Sequence, residues 1–145
     1  MTAFEKILRL YEGYLEQARK IEQEGNPLEG VLGFGSKPSD APCHDQFIKA
    51  MRALLNTASE DNLSSNEIRE LLEYIYRAPK ENRPPLAAYW MLIAVHGQTM
   101  DLIKHLNRDD AGALWAEYNK IYRHWDCLPA QERMLVALDR ARKGR

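Results

Sequence analysis

Residues 86–95, LAAYWMLIAV, form the longest apolar run of the chain, and their reading decides the fold. A bilayer-spanning helix needs about 20 such residues, so this run is too short to be one. Pro84 and Pro85 stand immediately before it, where proline's fixed φ suits the start of a helix. The run is apolar almost all round, which predicts the central and most buried helix, with amphipathic helices packed around it. Gly97 is expected to break or bend that helix, and TMDLIKHL (99–106) then resumes helical spacing through Met100, Ile103 and Leu106.

The flanking segments supply the amphipathic partners. Thr2 and Glu5 fit a capping box, in which each side chain satisfies the other's orphan backbone N–H. Phe4, Ile7, Leu8, Tyr11, Tyr14, Leu15, Ala18 and Ile21 follow at three- and four-residue steps, predicting a helix over about 3–24 that Gly25 and Pro27 stop. A second helix is expected to be capped by Ser39 or Asp40, with Pro42 in its first turn and Phe47, Ile48, Met51, Leu54, Leu55 and Ala58 facing inward. Ser64 and Glu67 form a second capping box, opening a helix predicted to end before Pro79. Asp109 is expected to cap the helix carrying Leu114, Trp115, Tyr118, Ile121, Tyr122 and Trp125, and Pro129 to start the last one.

Between the first two helices, residues 25–39 hold four glycines and two prolines, a density no helix survives. Leu28, Val31, Leu32 and Phe34 make an ordered loop packed on the bundle the expectation, rather than a free linker. No segment alternates with period two. The reading is an all-α chain, one domain over 1–145, built as a bundle of five to seven helices with one long Gly/Pro-rich loop at about 25–39. The fragment 85–106 resembles one helix–turn–helix unit of an ankyrin-type array. Stacked repeats need about three units to be stable, and no second unit recurs.

Composition excludes several classes. The chain is 45% hydrophobic and 28% charged, which rules out wholesale disorder. A net charge of −1 argues against a surface built to grip nucleic acid. Residues 1–75 carry −5 and residues 76–145 carry +4, a polarity that could favour antiparallel self-association. The two cysteines show no C-x-x-C spacing, so neither a disulfide framework nor a zinc ribbon is indicated, and reduced thiols in the cytoplasm are expected. Glu5, Lys6 and Arg9 interrupt the amino-terminal apolar residues, so no signal-peptide core is read there. No cofactor is implied.

Two short clusters could carry chemistry. Cys43, His44 and Asp45 are consecutive, and His124, Asp126 and Cys127 repeat the same residue types. Cys43, in the first turn of a helix, could be activated as a thiolate, although Asp40 and Asp45 oppose that. His124 and Cys127, three apart, could share a metal with Cys43 and either His44 or Asp45 if the segments meet. These six residues make a small thiol- or metal-dependent enzyme the alternative to a non-catalytic protein.

The run GVLGFGSKPS places Gly35, Ser36 and Lys37 where a loop enters a helix, a setting for anion binding by backbone N–H groups. It misses the phosphate-loop pattern because Ser36 stands where lysine is required. Trp115, Tyr118, Tyr122 and Trp125 form an aromatic stripe whose spacing favours the core, with a surplus edge that could seat a protein partner. The tail DRARKGR (139–145) is basic, which completes a helix dipole and leaves weak nucleic-acid contact as a second alternative. The favoured function is a soluble helical protein–protein interaction or accessory protein, with a protein partner or a second copy as the candidate occupant.

Overall fold

The computed structural model describes residues 2–24, 41–123 and 128–144. Among them the chain is all-α: α1 (Ala3–Glu24), α2 (Pro42–Glu60), α3 (Ser65–Glu81), α4 (Leu86–His96), a 3₁₀ turn (Gly97–Thr99), α5 (Met100–Ile103), α6 (Arg108–Ile121) and α7 (Pro129–Lys143). α4, the 3₁₀ turn and α5 follow one another without interruption, so the bundle consists of six helical rods. Among the described residues no strand occurs, and no helix is long and apolar enough to cross a membrane. The expected loop at 25–39, with Gly35, Ser36 and Lys37, lies outside the described residues, as do Ser39, Asp40, His124, Trp125, Asp126 and Cys127.

Both capping boxes form. Thr2 Oγ1 accepts from the Glu5 N–H at 3.1 Å while Glu5 Oε2 accepts from the Thr2 N–H at 3.3 Å. Ser64 Oγ accepts from the Glu67 N–H at 3.1 Å, and Glu67 Oε1 accepts from the Ser64 N–H at 3.2 Å. α2 departs from expectation: Ala41 occupies the cap position and Pro42 the first helical one, with no side-chain cap. The residue before a proline is driven to extended backbone, and Ala41 at φ −62°, ψ 137° obeys that restriction, so the helix starts at Pro42 itself. Cys43 therefore sits one position nearer the helix start than the sequence suggested.

Two further boundaries are corrected. α3 does not end before Pro79 but continues to Glu81 with Pro79 buried inside it. A proline in the last turn forfeits only the bond to the Ile75 carbonyl. Asn82 then closes the helix, its backbone N–H and its Nδ2 both donating to the Ala78 carbonyl at 3.2 Å. α6 is capped by Asn107 rather than Asp109, the Asn107 Oδ1 accepting from the Asp110 N–H at 2.8 Å. Asp110 is instead drawn inward to Ser65 Oγ (2.5 Å) and Arg69 Nη1 (3.2 Å), which ties the first turn of α6 to that of α3.

The core is lined by Ile7, Tyr11, Phe47, Met51, Leu72, Ile75, Tyr76, Leu92, Leu114, Tyr118 and Leu138, all essentially without exposure. α4 packs on α2, α3 and α7, as a central helix should, yet its burial is one-sided. Ala88, Leu92, Ile93 and Val95 are buried, whereas Leu86 is 70% and Trp90 45% exposed. These two lie four residues apart on one face, so the run that reads as apolar all round leaves a stripe of itself uncovered by the other described helices.

Candidate functional site

Cys43, His44 and Asp45 open α2 and point to different surroundings. Cys43 is a free, buried thiol. Burial pushes its pKa up, and the backbone N–H groups of Cys43 and His44, which act in the thiolate's favour, are outweighed. His44 is buried as well, its Nδ1 sharing a 2.5 Å hydrogen bond with Tyr14 Oη. The Tyr14 ring stacks on Phe47 at a centroid distance of 4.0 Å, which fixes the hydroxyl in place. Asp45 faces outward and forms a loose 3.8 Å pair with Lys49. A crevice of about 350 Å³ between α1 and α2 runs past Cys43, Tyr14 and Gly13. Among the described residues no group of three or more His, Cys, Asp and Glu side chains is placed to hold a metal. The separation of Cys43 from Cys127, on which the metal reading turns, lies outside the described residues.

The aromatic stripe of α6 divides. Tyr118 and Tyr122 are buried, and Trp115 is partly buried beneath the Arg142 guanidinium, 4.0 Å from its ring. The two tyrosines join Tyr76, His96 and Thr99 in a closed polar cluster. His96 Nδ1 shares a hydrogen bond with Tyr118 Oη at 2.9 Å, Thr99 Oγ1 donates to the His96 carbonyl at 2.7 Å, and Tyr76 Oη lies 2.8 Å from Thr99 Oγ1. Thr99 has one hydrogen to give, so the Tyr76 hydroxyl donates to Thr99. Tyr122 Oη donates to the Tyr76 carbonyl at 2.7 Å. The rings meet edge to face, Tyr76 on Tyr118 at 5.0 Å and on His96 at 5.1 Å. Burial lowers the His96 pKa to about 3, with the Ile75 carbonyl, freed by Pro79, acting weakly in the opposite direction. Its Nε2 has no hydrogen-bond partner of good geometry. His96 is thus held neutral, and none of the described cavities reaches it.

A different arrangement lies between α5, the first turn of α6 and the end of α7. There a groove of about 630 Å³ is lined by Met100, Ile103, Leu106, Ala137 and Ala141, with Lys104, Arg108 and Arg140 along its edges and Asn107 and Gly144 at its end. Ala137, Ala141 and Gly144 recur at steps of four and three, so small side chains face the bulkier Met100 and Ile103 across the gap. Gly144 ends α7 in the left-handed region, at φ 74°. That φ favours glycine, and a Cβ there would come within 2.4 Å of the Arg108 guanidinium, which would have to swing aside. The negative end of the α7 dipole favours a cation at that spot, although Arg108 itself opens α6.

Sequence reasoning named Arg140 only as part of a basic tail and Met100 only for its helical spacing, and passed over Lys104 and Arg108. The signal within reach was the small-residue spacing of 137, 141 and 144 among cations. The facing wall comes from residues 100–108, and nothing local announces that the two meet. No protein-family model, no curated protein and no solved structure matches this chain.

Proposed function

We propose that this chain is a helical protein–protein interaction module without catalytic activity, and that it docks its partner in the groove between α5, α6 and α7. One observation supports the reading above others. The groove has an apolar floor, and among the described residues no histidine, cysteine, hydroxyl or carboxylate side chain lines it. Such a surface can bind, but it lacks the proton-transfer and nucleophilic groups that catalysis recruits. Lys104 is no exception. It is exposed and paired with Asp101 at 3.4 Å, whereas a nucleophilic lysine is desolvated. A reducing, cytoplasmic setting belongs to the same proposal, supported by Cys43 as a buried free thiol.

Site-specific photocrosslinking tests this. Benzoylphenylalanine replacing Met100 is expected to capture one protein partner in cells, and the same group replacing Lys49, which lies outside the groove, is expected not to. Equal capture at both positions would remove the groove from consideration. A stoichiometric transition metal in protein purified without added metal would favour the rival thiol- or metal-dependent enzyme instead.

A further inference from the structure

We infer that the groove's occupant is an acidic amphipathic segment of another protein, its apolar side chains resting on Met100, Ile103 and Ala137 and its carboxylates meeting Arg108 and Arg140. This deepens the docking proposal above and rests on it.

Charge complementarity selects the partner. Arg69, Arg77 and Arg142 are occupied by Asp110, Glu117 and Asp139 at 3.2, 2.9 and 2.6 Å. Arg108 and Arg140 enter no ion pair or hydrogen bond among the described residues. Both border one apolar concavity whose lining, among the described residues, includes no carboxylate, which separates them from cations scattered singly over a surface. A guanidinium presents two parallel N–H groups that match a carboxylate oxygen for oxygen, and next to an apolar floor that pairing is screened less than in open water.

Arg108 lies against Gly144 at the end of α7, beside the apolar floor of the groove. Helix-in-groove docking is the mode that uses such a surface, with anchors three and four residues apart on the incoming segment. Nucleic acid fits less well. Among the described residues no aromatic side chain lines the groove for a base to stack on, and its floor is apolar where a phosphate backbone would have to run.

The test uses two labelled synthetic peptides and the full chain. Both peptides carry leucines on one helical face; one has glutamates along the flanks and the other has glutamine at each of those positions. Fluorescence anisotropy is expected to show binding of the glutamate peptide that weakens as salt is added. Arg108→Ala and Arg140→Ala are each expected to weaken it about tenfold, the scale of one charge-assisted pair. Thermal melts of both variants confirm that they are folded.

Equal binding of the two peptides, or no effect of either substitution, would overturn the inference. Binding by neither peptide, with the Met100 crosslink still capturing a protein, would overturn the acidic partner while leaving the docking reading standing. Loss of the crosslink as well would bring down both. A single-stranded oligonucleotide that binds more tightly than the peptide and depends on both arginines would reassign the groove. So would a dimer that Met100→Glu abolishes.

Discussion

The cluster around His96 and the groove beside Arg108 use polar groups in opposite ways. In the cluster, the hydroxyls of Tyr76, Thr99, Tyr118 and Tyr122 each find a partner within the core. In the groove, two arginines stand beside apolar surface without one among the described residues. A polar group sealed in the interior costs stability unless it is satisfied there, because water cannot reach it. One at the surface is free to wait for a ligand. The difference teaches where to look for function in this chain: the His96 cluster, rich in histidine and tyrosine, is closed within the core, and the plainer surface of alanine and methionine edged with arginine is the one proposed to bind.

The sharpest way to break this contrast is acid. His96 has its pKa lowered from 6.5 to about 3, so the folded state prefers the neutral ring more strongly than the unfolded state does. Its contribution is complete above pH 6.5 and declines as pH falls from there toward 3. The slope is about 1.4 kcal/mol per pH unit, or about 5 kcal/mol across the window. Urea midpoints measured between pH 7 and 4 should fall accordingly. In His96→Gln the slope over that window should flatten, whatever the variant's stability at neutral pH.

A pair of hydroxyl deletions is next in size. Tyr118→Phe removes the partner of His96 Nδ1 and should cost about 1–2 kcal/mol. Tyr11→Phe should cost nothing, or stabilise by up to about 1 kcal/mol, because the buried Tyr11 hydroxyl has no hydrogen-bond partner among the described residues. Paired denaturant titrations read both. Equal losses would show that burial, and not hydrogen bonding, distinguishes the two tyrosines.

The smallest effect is expected at the groove. Arg108→Ala and Arg140→Ala should each shift stability by less than about 0.5 kcal/mol, as exposed side chains without partners do. A loss above about 2 kcal/mol in either would make that arginine a structural residue and erase its contrast with the core.

Much of the fold was legible because its signals are local. The capping boxes at Thr2/Glu5 and Ser64/Glu67 read correctly, since each depends on residues three apart whose geometry the helix itself supplies. Of the residues the apolar spacing of α1 predicted as inward, Ile7, Tyr11, Tyr14, Leu15 and Ala18 are buried and Phe4 and Ile21 pack partly buried against them, while Leu8 stays outside the core and Leu10 packs there instead. Readings failed where a distant partner intervened. Pro79 looked like a helix end, yet packing on the neighbouring helices keeps α3 going past it. Asp109 looked like a cap, but Asn107 takes that role while Asp110 is claimed by Ser65 and Arg69 of α3. α4 looked buried all round, and Leu86 and Trp90 are not. Composition says how much of a helix can be buried, whereas only neighbours decide which side is.

By itself, then, the sequence determined the helical class, most helix starts and the inward face of each amphipathic segment. Period and capping act over three or four residues, within reach of the chain's own geometry. Tertiary structure alone decided that His96 would be sealed among tyrosines from α3 and α6, and that residues 100–108 would face residues 137–144 across a groove. Those are meetings between segments far apart in the chain. They are set by how the helices pack, and no local pattern encodes them.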